Sequence, residues 1–427
     1  MNSDAPRPSP RAIASLLVLS CIVGLNTVDR NMLGLLLPQI QQEIPISDLM
    51  LGVLMGPAFM IVYSVCSLPI AWLADRTNRR GIIVSGLTFW SLVTAATGFA
   101  QNLAQLLAAR IGLGMGEASN MAPASALIGD TFGGRYRVLA MAVFAAGGPV
   151  AIMICYPIIG RITAEQGWRA AYAFMGLAGL GVATLTLLIV RESRVDPAHA
   201  KAGTPAATHA ASSIWRATRQ VAGTPGFALL CLASVMVSVN FGAMLAWLPS
   251  FMVRLRGLDT ATTGALLGTY KGLVGVAGSI AGGLIVTGLM RFDQRWLAWA
   301  PMLFCLGIIP AELLLLFADA PSWWHMGLAA DTLLMSAITP CLFALLLSLL
   351  DSGLRATGVA LYLLIFNLVG QSIGPLAVGM INDQLSAAWG TAALRSSLLI
   401  APLSAAAGAA LLLALAARLE KSQAAPG

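Results

Sequence analysis

The sequence predicts an all-α membrane protein: twelve transmembrane helices in two pseudo-symmetric six-helix bundles, with both termini cytoplasmic. Three observations carry that expectation. The first is composition, since 58% of the 427 residues are hydrophobic and only 10% are charged, a balance far from that of a soluble domain. The second is the number and length of apolar runs. A helix needs roughly 20 apolar residues to span a bilayer, and such runs fall at about 12–37, 49–74, 81–100, 104–129, 136–161, 169–190, 226–252, 261–289, 296–318, 323–348, 356–382 and 390–417. The third is duplication. Gly52, Leu54 and Gly56 return 212 positions later as Gly264, Leu266 and Gly268, while Asp75, Arg137 and Pro157 return 218 positions later as Asp293, Arg355 and Pro375. A six-residue insertion reconciles the two offsets.

Basic residues set the orientation, because they concentrate on the cytoplasmic side. With the N-terminus inside, seventeen Lys and Arg residues fall in cytoplasmic segments, against four (Arg161, Arg169, Arg254 and Arg256) on the other side. The net charge of +7 reflects this bias and gives no support to nucleic-acid binding. The expected organisation is a cytoplasmic tail over 1–11, an N-terminal bundle over 12–190, a cytoplasmic linker over 191–225, a C-terminal bundle over 226–417 and a second tail over 418–427. The linker is rich in Ala, Thr, Ser, Gly and Pro and reads as a flexible tether. Trp215, Arg216 and Arg219 are the residues of it that would lie on a membrane surface if they formed a helix.

Cysteine and histidine carry little chemistry. Cys21, Cys66, Cys155, Cys231, Cys305 and Cys341 all lie inside apolar runs without CxxC spacing, as small buried hydrophobes do. His199 and His209 fall in the linker and His325 near a helix end, so neither a metal site nor a cofactor is expected. Val18-Leu19-Ser20-Cys21 loosely matches a lipoprotein cleavage box, but the apolar run continues past Cys21 and the repeat requires this first helix.

The sharpest signal is charge where charge is expensive. An ionisable group in mid-bilayer costs a few kcal/mol or more and is a functional candidate by default. Asp29 and Arg30 lie deep in the first helix. Arg110 and Glu117 lie seven residues apart in the fourth, nearly two turns, so they share a face about 10 Å apart. Two acids and two guanidiniums therefore converge on one polar pocket. A fixed structural cluster is the bland alternative, yet buried ion pairs rarely stabilise, because desolvation offsets their attraction. Asn26 and Asn120 extend the same polar faces, and Asn240 and Asn367 are the second half's candidates. Each amide alone also fits an interhelical hydrogen bond. Lys271, Glu312, Asp331 and Arg395 are intramembrane too. Lys271 is either the charged group of the second half or a snorkelling lysine, and the residues do not choose.

Gly112-x-Gly114-x-Gly116 offers a small face on the fourth helix, and Gly264, Gly268, Gly272 and Gly275 make a stripe on the eighth. Such faces permit close helix approach. Gly147, Gly148, Pro149 and Pro157 in the fifth helix, with Gly370, Gly374, Pro375 and Gly379 in the eleventh, permit bending. Their paired placement suits moving gates, and tight static packing is the plain alternative.

Ala71-Trp72-Leu73-Ala74-Asp75-Arg76-Thr77-Asn78-Arg79-Arg80 resembles the signature loop of the major facilitator superfamily. Ala71 and Asn78 stand where that pattern has glycine, but its Asp-Arg-x-x-Arg-Arg skeleton is intact. Arg291-Phe292-Asp293-Gln294-Arg295 resembles a degenerate second copy. Within the superfamily, Val28-Asp29-Arg30, Trp90-Ser91-Leu92-Val93-Thr94, Gly116-Glu117-Ala118 with Pro123, Gly167-Trp168-Arg169 and Asn367-Leu368-Val369-Gly370 resemble the spinster-like branch. An anion–cation symporter branch shares the Asp-Arg pair and the helix-four Glu, but usually follows that Glu with Gly.

The resemblance implies roles for these residues. Asp29 and Glu117 would be protonation sites and Arg30 and Arg110 their partners; Asp75, with Arg76, Arg79 and Arg80, would latch the cytoplasmic gate, and Pro149 and Pro375 would flex it. Burial disfavours a charged carboxylate and a nearby arginine favours it, which fits that assignment. Parallel halves of this kind are used by secondary transporters. The expected function is thus proton-coupled alternating access by a monomer in the cell membrane, moving an amphipathic anion such as a lysolipid or sphingoid-like lipid. The alternative is symport of small organic anions such as sugar acids. An enzyme would need a catalytic motif such as HExxH, which is absent, and a channel or receptor would not require the duplication.

Overall fold

A computed structural model describes residues 8–74, 76–192, 216–293, 295–351 and 353–424, and every regular element among them is helical. In chain order the helices are α1 (Pro10–Glu43), α2 (Asp48–Met55), α3 (Pro57–Ala74), α4 (Arg79–Thr97), α5 (Leu103–Glu117), α6 (Met121–Thr131), α7 (Gly134–Gln166), α8 (Trp168–Ile189) and α9 (Phe227–Arg254). They continue as α10 (Thr260–Thr269), α11 (Gly275–Leu289), α12 (Trp296–Phe317), α13 (Pro321–Leu349), α14 (Arg355–Ile365), α15 (Gln371–Trp389), α16 (Ala393–Ser397) and α17 (Ile400–Ala424). Residues 216–223 are also helical, whereas the rest of the expected linker from 193 to 215 lies outside the described residues.

These helices match the twelve expected spans, five of which are built from two pieces. Pro57 opens α3 straight after Gly56, where a missing N–H costs nothing, so α2 and α3 form one bent span. α5 and α6 form the fourth span with a break at 118–120. There the backbone tightens: Ser119 N–H donates to Gly116 at 3.2 Å and Asn120 N–H to Glu117 at 3.2 Å. Pro123 then offers no N–H to the preceding turn. The eighth and eleventh spans each contain a π turn, at Tyr270–Val274 and Phe366–Gly370. The last joins α16 to α17. The fifth span did not break: α7 runs unbroken through Pro149 and Pro157.

Nine helical stretches among the described residues are long and apolar enough to cross a membrane, one of them, Thr357–Arg418, running through the last two spans. The third and fourth spans fall short for visible reasons, α4 opening on Arg79 and Arg80 and the fourth being split. Large apolar side chains such as Val65, Leu68, Leu177, Leu284 and Leu403 stand exposed, as they must where the solvent is lipid.

The chain divides into two compact units. The first comprises Met1–Arg194, Leu245–Leu273 and Asn382–Ala392; the second comprises Val195–Met244, Val274–Ile381 and Ala393–Gly427. The first has a core built from Ile22, Phe59, Leu87, Trp90, Leu127 and Phe144. Small residues bring its helices close. A Cβ on Gly24 of α1 would lie 2.6 Å from Ala151 of α7, and one on Gly176 of α8 would lie 2.6 Å from the Ser91 carbonyl of α4. Gly167, at φ 86°, turns α7 directly into α8; its missing Cβ permits that conformation. The second unit packs Leu230, Cys305, Ile308, Leu342, Tyr362 and Leu412 into its core.

Candidate functional site

The candidate site lies inside the first unit, where α1, α3, α4, α5 and α8 meet. Asp29 and Arg30 are consecutive on α1, so their side chains diverge toward different neighbours. The glycines of α5 decide how near its charges come. A Cβ on Gly116 would lie 2.6 Å from Cβ of Trp90 on α4, and one on Gly114 would lie 2.9 Å from the Phe59 carbonyl of α3. α5 is thus pressed against both neighbours, and this seats Arg110 and Glu117 facing α1.

The two acids answer to different arginines, Glu117 through a direct ion pair and Asp29 through the charge of Arg110 alone. Glu117 is wholly buried, and Arg30 Nη2 reaches its Oε2 at 3.3 Å. The same nitrogen donates to Asn26 Oδ1 at 3.4 Å. The guanidinium lies over the rings of Phe59 and Tyr63, 4.7 and 4.8 Å from their centroids. Asp29, 3% exposed, makes no ion pair among the described residues, and Arg110 is the cation whose charge acts on it. Thr94 Oγ1 donates to Asp29 Oδ2 at 3.5 Å, and the Trp90 indole lies beside the same carboxyl. Arg110 donates from Nη1 to the Arg30 carbonyl at 3.4 Å, bonding α5 to α1 within the cluster. Asp29, Arg110, Thr94 and Tyr172 line a cavity of about 10 Å³, room for about one water.

The expected convergence of Asp29, Arg30, Arg110, Glu117 and Asn26 is therefore met in the geometry. Asn120 is fully buried in the break between α5 and α6, and neither polar atom of its side chain finds a partner among the described residues. Trp90, Thr94, Phe59, Tyr63 and Tyr172 were not singled out as site residues. Trp90 and Thr94 belong to the segment that resembles the spinster-like branch, whereas Phe59, Tyr63 and Tyr172 are ordinary aromatic residues of apolar helices with no local mark.

A profile of the Major Facilitator Superfamily matches residues 19–375. The chain belongs to the Major Facilitator Superfamily. An "MFS-type efflux pump" of Mycolicibacterium smegmatis is 30% identical over 401 residues, covering 93% of this chain and 91% of that one. The "Sphingosine-1-phosphate transporter SPNS2" of Danio rerio is 24% identical over 398 residues, covering 86% and 75%. Among solved structures, a bacterial homologue of the human lysosomal transporter spinster, in an inward-facing and unoccupied conformation, superposes with a TM-score of 0.76. It shares 23% identity and covers 96% of each chain. The superfamily member described here is thus a helical, multi-pass membrane transporter, similar to the spinster-like branch.

The other expected site residues of this superfamily member fall as follows. Asp75 of the signature loop lies outside the described residues. Arg76 stacks on Trp72, 4.0 Å from its ring centroid. Arg79 pairs with Asp130 at 2.5 Å. The Glu192 carboxylate accepts the backbone N–H groups of Arg79 at 3.3 Å and Arg80 at 2.9 Å, capping the start of α4 beside the Asn78 side chain. Asp130 and Glu192 went unremarked in the sequence because charges at helix ends are commonplace.

In the second unit, Asn240 donates to Glu312 Oε1 at 2.9 Å and to the Ala401 carbonyl at 2.8 Å. Its amide hydrogens are thus committed to neighbouring helices. Asn367 lies in a π turn and accepts from Gln371 at 2.6 Å; Lys271 of the first unit lies in the other π turn. Such turns are frequent at functional sites. Pro149 and Pro375 sit inside α7 and α15 without breaking them.

Proposed function

We propose that this transporter is proton-coupled and works by alternating access, moving an amphipathic anion of the lysolipid or sphingoid-phosphate kind. The reading rests on one observation: two buried acids and two arginines meet in one cluster, Arg30 on Glu117 and Arg110 as the cation acting on Asp29. A buried carboxylate separated from its cation is costly. Helix movement that draws Arg110 from Asp29, or Arg30 from Glu117, leaves an acid that takes a proton, and the return movement expels it. Asp29 and Glu117 are the coupling acids.

Arg30 and Arg110 are the groups a substrate anion would recruit. Arg30 already lies over two aromatic rings, and a planar guanidinium there suits a carboxylate or phosphate headgroup, with apolar walls beside it for a tail. Asn26 and Asn120 add polar contacts from the first six helices and Asn367 from the last six, while Asn240, whose amide hydrogens hold Glu312 and the Ala401 carbonyl, offers only its carbonyl oxygen. In this reading both termini face the cytoplasm, as the basic-residue bias favours, and the protein works as a monomer in the cell membrane. Its two halves, 12–190 and 226–417, joined by the 191–225 linker, rock against each other. Asp75, Arg76, Arg79 and Arg80 latch the cytoplasmic end, with Pro149 and Pro375 allowing the helices to flex.

Purified protein in liposomes under an imposed pH gradient tests this reading. Accumulation of a lysophospholipid or a sphingoid-base phosphate above equilibrium is expected. Equilibration without accumulation would overturn the coupling. Accumulation of a sugar acid alone would overturn the substrate class.

A further inference from the structure

The α1–α2 end of the first unit holds a polar cluster that draws on both halves of the sequence, and the proposed mechanism does not yet use it. Its centre is the first turn of α2. Asp48, only 8% exposed, accepts Arg254 Nη1 at 3.0 Å and Nη2 at 3.2 Å on its two carboxylate oxygens. Gln41 donates to Asp48 Oδ1 at 2.9 Å and accepts from Arg254. Asn382 of α15 donates to Asp48 Oδ2. The neighbouring Asp383 turns its carboxylate on the start of α2, accepting the backbone N–H of Asp48 at 2.9 Å and of Leu49 at 2.8 Å.

Charges balance in this arrangement. The Arg254 cation answers the Asp48 anion in a two-pronged pair, and the Asp383 anion answers the unpaired N–H groups and positive end of α2. Residues 41 and 48 belong to the first two spans, while 254, 382 and 383 close the seventh and eleventh. Nearby the two sequence halves meet backbone to backbone. A Cβ on Gly34 would lie 2.5 Å from the Ala246 carbonyl, and one on Gly160 would lie 2.7 Å from the Thr260 carbonyl. Small residues let the backbones approach this closely, and the polar cluster adds charge-assisted contacts that separation must break.

We infer that Asp48, Arg254, Asn382 and Asp383 form a polar latch holding the outer end of the transporter shut, made and broken once per transport cycle. Its placement on the outer side rests on the orientation proposed above. The latch engages the first turn of α2, so releasing it frees the first two spans from the ends of α9 and α15 together. It sits at the opposite end from the signature loop and acts in the opposite sense.

Pulsed EPR distances test this without substrate or pH gradient, so the outcome is independent of proton coupling. Labels are placed through Ala164→Cys on α7 and Ala388→Cys on α15, both exposed positions. Cys21, Cys66 and Cys155 are replaced by alanine, the other three cysteines being buried. Arg254→Gln and Asp383→Asn are each expected to raise the ratio of long to short distances on the order of tenfold, the worth of a hydrogen bond to a charged group. Arg254→Lys, which keeps the charge and loses the second prong, should fall between. Arg169→Gln removes an ion pair with Glu43 at the same end, but within the first six helices, and should leave the ratio unchanged. An unchanged ratio in Arg254→Gln and Asp383→Asn, or an equal rise in Arg169→Gln, overturns the latch.

Discussion

Arg30 does not pair with its sequence neighbour Asp29 but reaches Glu117 on α5 at 3.3 Å, while Asp29 makes no ion pair among the described residues and feels the charge of Arg110. Arg110 donates to the Arg30 carbonyl, so the cation acting on one acid is bonded to the backbone that carries the cation of the other.

Arg30→Lys separates charge from shape. Lysine keeps the positive charge but loses the planar fork and the stacking on Phe59 and Tyr63. Binding of an anionic amphiphile, followed by quenching of Tyr and Trp fluorescence, should weaken on the order of tenfold, with the melting temperature little changed. Unaltered affinity would remove Arg30 from the binding role.

Gly116→Ala tests how α5 is seated. The new Cβ would come 2.6 Å from Cβ of Trp90, and overpacking of this kind costs roughly 1–3 kcal/mol. The purified variant should melt several degrees lower and bind ligand less well, because Glu117 is displaced with its helix. Gly129→Ala, where nothing lies within reach of an added Cβ, should match the parent on both counts.

Much of this was legible in the sequence, and the exceptions have physical causes. Asp29, Arg30, Arg110 and Glu117 announce themselves because charge in an apolar run is rare and costly. Helix order and the small faces of α5 follow from composition and spacing. Pairing does not, since adjacent residues on a helix face different ways and the partner is chosen by how α5 packs. The bond from Asp48 to Arg254 joins residues 206 positions apart, and no local pattern reports it. The π turns around Lys271 and Asn367 and the break at 118–120 were hidden as well, because apolar periodicity runs through them unchanged.

Asp259 supplies a pH test outside the membrane spans. It caps α10, accepting the Thr262 hydroxyl at 2.6 Å and the Thr262 N–H at 2.8 Å. These bonds, the hydroxyl first, hold its carboxyl below the usual aspartate range. A depressed native value means the contribution is present above the unfolded aspartate value and is lost as pH falls through the native one. Asp259→Ala should therefore cost about 1 kcal/mol near neutrality. Its melting-temperature deficit should shrink as pH drops below about 4. A deficit independent of pH would mean the cap acts without its charge.

The most direct measurement is substrate-driven proton movement in liposomes loaded with a pH dye, comparing the parent with Asp29→Asn. The parent should carry protons with substrate, whereas the variant should exchange substrate for substrate while moving none. Proton flux at the parent's rate in Asp29→Asn would contradict the account, since the charged cluster would then be scaffolding rather than the coupling device.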